Sequence, residues 1–199
     1  LSYLKDELSL PITHIRDIKV CSNTQYMSLD RTTQRNLELT HSLHDQSSRN
    51  TLLEVLDYTQ TPMGGRMLRQ WVTHPLLSPE KIKDRQTAIE ELALHPQIMD
   101  ELGGSLGRVR DLERLTMKVA TSCATPKDLV SLRFSLEQLP SILNILHAFN
   151  TPLLRQVLES IDDPTPIISL IAESLVDDPP IRVSDGKLFR KGFHKELDE

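Results

Sequence analysis

Residues 125–149 read TPKDLVSLRFSLEQLPSILNILHAF and carry the strongest helical periodicity in the chain. Thr125 is an N-cap residue, Pro126 fits the first helical position, and Asp128 completes a pattern close to a capping box. Leucine then recurs at alternating intervals of three and four residues, at Leu129, Leu132, Leu136, Leu139, Leu143 and Leu146. This leucine seam predicts a helix that faces another helix. Pro140 interrupts the seam, so we expect a kink or a break there.

The composition of the whole chain favours the same fold class. Of the 199 residues, 38% are hydrophobic and only 4% are aromatic, so the core must be built from Leu, Ile, Val and Met side chains. Such a composition favours helices packed on helices over a β-sandwich. We therefore predict an all-α, irregular multi-helix core domain with a small extended element near its N-terminus.

The charge and the cysteine content argue against several classes of protein. The net charge of −5 gives the chain no overall basic footprint for nucleic acid. Cys21 and Cys123 lie far apart and outside any C-x-x-C context, which argues against a disulfide scaffold or a zinc site and fits a reducing compartment. No apolar run approaches the roughly 18 residues of a membrane span, and there is no signal-peptide pattern. These features predict a cytosolic protein.

Capping residues predict where other helices start and end. Four further helices are expected to start at a capping residue, which in three cases is followed by proline: Asn50, Ser78-Pro79, Thr151-Pro152 and Thr165-Pro166. Pro96 begins a short segment that Gly103-Gly104 should end. An apolar stripe over residues 109–123 finishes on Cys123, which we expect to be a small buried hydrophobe.

Extended segments are predicted at three places in the chain. Residues 12–20 show a weak alternation of apolar and polar side chains. A second extended piece near residues 26–29 precedes Asp30, which can cap a short helical turn. A third covers residues 181–189, with Asp185-Gly186 as a turn.

The sequence contains no nucleotide-binding motif. A phosphate loop requires G-x-x-x-x-G-K-[ST], but Gly186-Lys187 is followed by Leu188 and lacks the first glycine. The glycines at 103, 104 and 107 lack the G-x-G-x-x-G spacing. His41 and His44, with the adjacent aspartate, form a weak candidate for a metal site. A solvated loop is the favoured interpretation, because no second cluster supplies further ligands.

Acidic and basic clusters are also better explained as structural features. Asp162-Asp163 and Asp177-Asp178 each precede a proline and are typical of exposed turns. Five arginines lie on helical segments, and the last three of them are interleaved with acidic residues: Arg66, Arg69, Arg108, Arg110 and Arg114. For all five we expect ion pairs rather than phosphate contacts. Without interleaved aromatic residues, these segments offer no stacking platform for single-stranded nucleic acid.

Residues 58–76, YTQTPMGGRMLRQWVTHPL, raise the question of a ligand-binding loop. Thr61-Pro62 is a good cap followed by proline at the first helical position, so the glycine pair falls in the first turn of a helix. Each glycine costs about 1 kcal/mol relative to alanine. Either a closely packed neighbour or an anion at the helix N-terminus must offset this cost. The recurrence of Met63, Met67 and Trp71 favours the packing of a core helix.

Several runs of residues have a recognisable order. One reads M-x-L-D-x-x-T-x-R-N-L-E-L from Met27 to Leu39, and another reads L-D-x-T-x-T-x-M-G-x-R from Leu56 to Arg66. Further matches follow at Trp71, Pro75-Leu76, Ile82, Arg85, Ala88-Ile89, 111–114, 126–129 and 192–199. Together, in collinear order over nearly the whole chain, they resemble the bacterial MutS family of DNA mismatch-recognition ATPases. Val72 and Lys118 are mild departures from the family pattern.

The resemblance implies a place within a larger protein. Residues 1–10 resemble the end of a connector domain, residues 11–189 a helical core called domain III, and residues 190–199 the start of a lever helix. The structural residues that it predicts are Leu29, Asp30, Thr33, Arg35, Asn36, Leu37, Glu38, Asp57, Thr59, Thr61, Met63, Gly64, Arg66, Trp71, Pro75, Arg85, Asp111 and Arg114. No catalytic, cofactor-binding or metal-binding residue of the family has a matching position in this chain.

The role implied by the resemblance is mechanical. The chain would link mismatch recognition and a DNA-encircling clamp to a distant ATPase domain, which would bind ATP and Mg²⁺. The expected partners are the other domains of the parent protein, mismatched double-stranded DNA and a second copy in a homodimer. The expected location is the bacterial cytoplasm, with no membrane partner. Because the sequence begins in helical phase and ends on a charged run without a cap, we expect a fragment of a longer protein.

Two other hypotheses come from different classes of protein. A freestanding helical adaptor would bind protein partners through an exposed apolar face. A complete gene ending near Glu199 would favour the adaptor, and a downstream phosphate loop would exclude it. A small-molecule enzyme has no convergent polar constellation to support it. We therefore expect the chain itself to be non-catalytic.

Overall fold

The computed structural model describes residues 25–180 and 186–194 of the chain. The opening helix, the weak strand predicted at 12–20 and most of the last helix, predicted from residue 193, lie outside these ranges. Residues 181–185 of the extended segment predicted at 181–189 lie outside them as well. The boundaries between connector, core and lever remain predictions from the resemblance.

The described residues fold mainly into helices. In chain order these are α1 (Arg31–Asn36), α2 (Leu52–Leu56), α3 (Pro62–Thr73), α4 (Pro79–Ala93), α5 (Pro96–Leu106), α6 (Leu112–Ala120), α7 (Pro126–Leu136), α8 (Leu139–Leu146), α9 (Pro152–Glu159) and α10 (Thr165–Ser174). Strand-like pairing within the described ranges consists of isolated antiparallel bridges, Tyr26 with Leu76 and Leu175 with Phe189. The all-α prediction is confirmed. No helix in this part of the chain is long and apolar enough to cross a membrane.

The helices form two compact units. The described residues of the larger unit are 25–111 and 137–163, and those of the smaller unit are 112–136, 164–180 and 186–194. In the larger unit, α2 packs on α3, α4 packs on α5, α5 packs on α8, and α9 packs on both α4 and α8. In the smaller unit, α7 packs on both α6 and α10.

The leucine seam of residues 125–149 is divided between the two units. α7 ends at Leu136 and α8 begins at Leu139, so the interruption predicted near Pro140 is a break of the helix. Pro140 lies in the first turn of α8, where a missing N–H removes no helical hydrogen bond. In an uninterrupted helix its ring would clash with the carbonyl of Leu136. The seam therefore does not face a single partner helix, because α7 belongs to one unit and α8 to the other.

The first half of the seam lines the core of the smaller unit. The buried cluster there consists of Leu115, Val130, Leu132, Ile171 and Leu175, with Leu112, Leu129 and Leu136 packed against it. Burying one such side chain stabilises the folded state by roughly 1.5–3 kcal/mol. This packing accounts for the position of α7 between α6 and α10.

A reciprocal capping box starts α7, as predicted. The N–H of Asp128 donates to Thr125 Oγ1 at 3.2 Å, and the N–H of Thr125 donates to Asp128 Oδ2 at 2.9 Å. Lys118 Nζ adds a hydrogen bond of 2.7 Å to Asp128 Oδ1. The hydrogen bonds from Lys118 and then Thr125 lower the pKa of Asp128 from 3.8 to about 2, so this carboxylate stays ionised at neutral and mildly acidic pH.

The start of α9 is capped by a side chain from another helix. Thr151 is the N-cap residue as predicted, but its hydroxyl makes no capping hydrogen bond. Instead Glu91 of α4 accepts the N–H of Asn150 at 2.8 Å and that of Thr151 at 3.0 Å. These backbone hydrogen bonds, led by that of Asn150, hold the pKa of Glu91 below its usual value. The negative charge lies where the helix dipole favours it.

Three helix boundaries differ from the predictions. Thr165 is the first residue of α10, and its N-cap is Pro164. Thr51, not Asn50, caps α2, since Thr51 Oγ1 accepts the N–H of Glu54 at 3.2 Å while Asn50 has a left-handed φ of 58°. α5 continues through the Gly103-Gly104 pair. The N–H of Gly107 still bonds to the carbonyl of Gly103 at 2.9 Å, so the helical pattern persists across the pair. Glycine ends a helix where a left-handed residue is required, and neither of these two adopts that conformation.

Cys123 is exposed, so the prediction that it is a buried member of an apolar stripe is wrong. α6 ends at Ala120, and Ser122 adopts a left-handed φ of 57°. The N–H of Cys123 then bonds to the carbonyl of Lys118 at 2.8 Å, which is the pattern of a Schellman helix end. The left-handed residue takes Cys123 out of the helical phase on which the prediction depended.

Candidate functional site

Family-motif residues gather around the start of α3. Thr61 caps this helix, because Thr61 Oγ1 accepts the N–H of Gly64 at 3.0 Å, and Pro62 begins it as predicted. Just before the cap, Asp57 Oδ1 accepts the N–H of Thr59 at 3.1 Å and the Thr59 hydroxyl at 2.6 Å. These hydrogen bonds hold the pKa of the Asp57 carboxyl below its usual value, so the group is negatively charged at neutral pH.

The glycine pair at the start of α3 packs closely against the preceding loop. A Cβ atom on Gly64 would lie 3.1 Å from Thr61 Oγ1 and 3.2 Å from Thr59 Cβ. A Cβ atom on Gly65 would lie 3.4 Å from Thr59 Oγ1 and 3.7 Å from Asp57 Oδ2. The nearby carboxylate would repel a second anion. The geometry therefore favours the packing interpretation over an anion site.

α3 is nevertheless not a core helix, which corrects the expectation drawn from Met63, Met67 and Trp71. None of its residues is buried, and Met67 and Trp71 are 55% and 39% exposed. Its neighbour α2 has only five residues, whereas α3 has twelve. So short a helix leaves much of the apolar face of α3 open.

Replacing Gly64 with leucine should lower the free energy of unfolding by about 1–3 kcal/mol, because the added side chain overpacks against Thr59 and Thr61. The matched control is Gly104→Leu in α5, where a Cβ atom would meet nothing within 4 Å. Leucine there should raise stability by about 0.5–1 kcal/mol through helix propensity. Urea denaturation of both variants measures the difference, and equal stability of Gly64→Leu and the unsubstituted chain would contradict the packing interpretation.

Arg66 and Asp111 form a bidentate ion pair. Arg66 Nη1 donates to Asp111 Oδ2 at 2.9 Å, and Arg66 Nη2 donates to Asp111 Oδ1 at 2.7 Å. The bidentate geometry fixes the orientation of both planar groups. It joins the middle of α3 to the residue directly before α6. The sequence identified both residues as family-motif positions but did not indicate that they pair.

Trp71 and Arg85 form a second link between family-motif residues. The Arg85 guanidinium lies 3.6 Å from the centroid of the Trp71 ring, which places the cation over the ring face. Partial burial lowers the pKa of Arg85 from its ordinary value. This contact joins the end of α3 to α4.

The extended piece at residues 26–29 runs beside the segment that follows α3, and its prediction is confirmed. The N–H of Met27 donates to the carbonyl of Pro75 at 2.8 Å, and the Tyr26 ring meets the His74 ring edge-on at 6.2 Å. Asp30 then caps α1, since its carboxylate accepts the N–H of Thr33 at 2.6 Å. Pro75, Asp30 and Thr33 therefore all serve to define backbone geometry.

The remaining family-motif residues do not converge on a common point. The carbonyl of Leu29 accepts a hydrogen bond from Gln34 Nε2 at 2.9 Å, and Glu38 Oε1 accepts the N–H of Leu43 at 2.6 Å. Four others are exposed on the surface, namely Arg35, Asn36, Leu37 and Arg114. No group of three or more His, Cys, Asp or Glu residues within 25–180 and 186–194 is arranged to hold a metal ion.

A groove of about 720 Å³ lies beside the start of α3. The loop residues Tyr58 to Thr61 form one wall, and α5 forms the other with Met99, Leu102 and its glycines. Tyr58 is 85% exposed at its edge. The sequence did not predict this groove, because the two walls come from segments some forty residues apart.

The sequence of the chain matches that of a known family. A family model described as MutS domain III matches residues 32–197. The chain belongs to the MutS domain III family. The resemblance inferred from the motifs is thereby confirmed.

Curated relatives of this MutS domain III chain are longer proteins. It is 46% identical to the DNA mismatch repair protein MutS of Protochlamydia amoebophila over 199 residues, which is all of this chain and 23% of the relative. It is 40% identical to the MutS of Alkaliphilus metalliredigens over 99% of this chain and 22% of the relative. It is 38% identical to the MutS of Salinibacter ruber over 100% of this chain and 22% of the relative. The chain thus spans less than a quarter of the relatives that it matches.

Proposed function

We propose that the chain is a structural coupling domain of a MutS-type mismatch repair protein. In this role it joins mismatch binding and the clamping of DNA to ATP hydrolysis in other domains. The observation that carries the proposal is that charged motif residues bind other residues of the fold, Arg66 to Asp111 and Arg85 to Trp71. Such contacts fix the relative positions of segments, whereas catalysis requires groups that converge on one reacting centre.

Other parts of the same protein would supply the chemistry. ATP and Mg²⁺ would bind in an ATPase domain outside this chain, and the chain itself would be non-catalytic. Its direct partners would be the neighbouring domains of the parent, and through the parent it would act on mismatched double-stranded DNA. The parent would be a homodimer in the bacterial cytoplasm. Support for this assignment comes from the relatives, which are named as DNA mismatch repair proteins and match this chain over its full length.

Coupling of this kind depends on contacts that keep helices in a defined arrangement. A binding event at one site changes another site only if the intervening structure has distinct arrangements with different free energies. The Arg66–Asp111 pair ties α3 to residue 111 across 45 positions of the sequence. Loss of this pair should loosen the connection while leaving a distant ATP-binding site intact.

A chimera tests the proposal. In the chimera, this chain replaces the matching segment of the Protochlamydia amoebophila MutS. We expect the chimera to hydrolyse ATP and to change its rate when duplex DNA with a mismatch is added. Arg66→Ala in the chimera should keep the basal rate within about twofold and reduce the mismatch response by about fivefold, the lower end of typical coupling.

The control for this test is Arg31→Ala, because Arg31 is an exposed residue of α1. It should leave both the basal rate and the mismatch response unchanged. A full mismatch response in Arg66→Ala would contradict the coupling role of the pair. Hydrolysis of ATP by the pure 199-residue chain would contradict the proposal that the chain is non-catalytic.

A further inference from the structure

The segment that follows α10 pairs with the residues at the end of that helix. The N–H of Val176 donates to the carbonyl of Leu188 at 3.0 Å, and the N–H of Arg190 donates to the carbonyl of Ser174 at 2.9 Å. An antiparallel bridge lies between these two hydrogen bonds. Leu175 and Leu188 are both buried, and Leu175 belongs to the core of the smaller unit. The segment is therefore anchored directly on that core.

A cluster of three charged side chains strengthens this anchor. Arg133 Nη2 and Arg190 Nη2 both donate to Asp177 Oδ1, at 2.8 and 2.9 Å. Arg190 Nε also donates to the carbonyl of Leu175 at 2.8 Å. The Arg133 side chain is only 6% exposed, so packing holds it in place. Asp177 thus connects a buried guanidinium on α7 to a more exposed one on the segment that follows α10.

The hydrogen bonds from Arg133 and then Arg190 hold the pKa of the Asp177 carboxyl below its usual value. The carboxylate is therefore ionised at neutral pH, and both hydrogen bonds are charge-assisted. Asp178, the next residue, has a side chain that is 96% exposed and lies 3.6 Å from Lys127 Nζ. The two neighbouring carboxylates differ in that Asp177 bridges two elements that are distant in sequence.

A tight turn begins at Arg190, the residue whose side chain binds Asp177. The N–H of Phe193 donates to the carbonyl of Arg190 at 3.2 Å, and Gly192 has a left-handed φ of 87° that glycine adopts at little cost. The Phe193 ring stacks on the Phe189 ring, with centroids 6.0 Å apart and planes 5° from parallel. Both rings are partly exposed. The position of Arg190 therefore determines the geometry of the turn that leads away from it.

We propose that Asp177 is a positioning residue, which ties Arg190 to the buried Arg133 and so sets the direction in which the chain leaves the turn at residues 190–193. This inference rests on the proposed function, because the family resemblance places the start of a lever helix at residues 190–199. A lever transmits motion only if its base is held in one geometry. The hydrogen bonds of Asp177 to Arg133 and Arg190 would hold the base of the lever in that geometry.

Amide hydrogen exchange of the 199-residue chain tests whether Asp177 holds Arg190 in place. Asp177→Asn keeps the shape of the side chain but removes its charge, and Asp178→Asn is the adjacent control. We expect exchange at Val176, Arg190 and Phe193 to accelerate about tenfold in Asp177→Asn and to stay within about twofold in Asp178→Asn. Exchange in α7 should not change in either variant. Unchanged exchange at Val176 and Arg190 in Asp177→Asn would overturn the proposal.

The same substitutions in the chimera test the role in coupling. Asp177→Asn should leave basal ATP hydrolysis within about twofold and reduce the mismatch response by about fivefold, and Asp177→Glu should restore at least half of the response. A merely structural defect would lower both rates together with the amount of folded protein. If exchange accelerates while the full mismatch response persists, the positioning role is overturned. The proposed function would then still be judged independently by the unsubstituted chimera and by its Arg66→Ala variant.

Discussion

Phe149→Ala is expected to lower the free energy of unfolding of the larger unit by about 3–5 kcal/mol, the largest effect that we predict for a single substitution. Phe149 is only 1% exposed, and its ring meets the His95 ring edge-on at 5.9 Å. It also directly precedes Asn150 and Thr151, whose N–H groups bind Glu91. Truncation would therefore leave a cavity beside the contact between α9 and α4.

The control for this prediction is Tyr58→Ala, because Tyr58 is an aromatic residue of the same unit that is 85% exposed. This substitution should change stability by no more than about 0.5 kcal/mol. Urea denaturation followed by circular dichroism gives both values, and hydrogen exchange in α8 and α9 assigns the loss to the larger unit. A decrease in the free energy of unfolding of less than about 1 kcal/mol for Phe149→Ala would contradict the prediction, because it would mean that neighbouring side chains fill the space left by the ring.

Leu132→Ala is expected to cost the smaller unit about 2–5 kcal/mol. Leu132 is 7% exposed and lies in the buried cluster with Leu115, Val130, Ile171 and Leu175. α7 packs on both α6 and α10, so a cavity at this position removes contacts with both neighbours. Hydrogen exchange at the amides of α6, α7 and α10 should accelerate together.

Leu170→Ala provides a matched control in the same unit, since Leu170 on α10 is 60% exposed. The same pair of residue types is exchanged in both variants, so helix propensity changes equally and only the burial differs. Leu170→Ala should cost less than about 1 kcal/mol. Equal costs for the two variants would contradict the assignment of Leu132 to the core.

The starts of several helices were predicted correctly because their capping groups lie within a few residues of each other. Thr61, Ser78 and Thr125 each accept the N–H of the residue three positions later, and a proline follows each of them. Such interactions depend on local backbone geometry, which the residue types largely specify. The same reasoning failed at Asn50, whose left-handed φ of 58° leaves Thr51 as the cap of α2.

The contacts between distant residues could not be predicted in the same way. Arg66 pairs with Asp111 across 45 positions, Arg133 with Asp177 across 44, and Glu91 with Thr151 across 60. A sequence shows which residues are charged. It does not show which of the many acidic residues pairs with a given arginine, because a different fold would bring a different one close to it. Only the packing of the helices brings one of them to within 3 Å.

By itself, the sequence determined the all-α class, the caps at Thr61, Ser78 and Thr125, and the membership of the MutS domain III family, because these follow from local chemistry and from the order of motif residues. The tertiary structure decided how the leucine seam is used. Both halves of the seam have the same periodicity, so periodicity alone could not show that α7 and α8 belong to different units. It also decided that no residue of α3 is buried, because burial depends on which neighbour covers a face and not on the apolar pattern of that face.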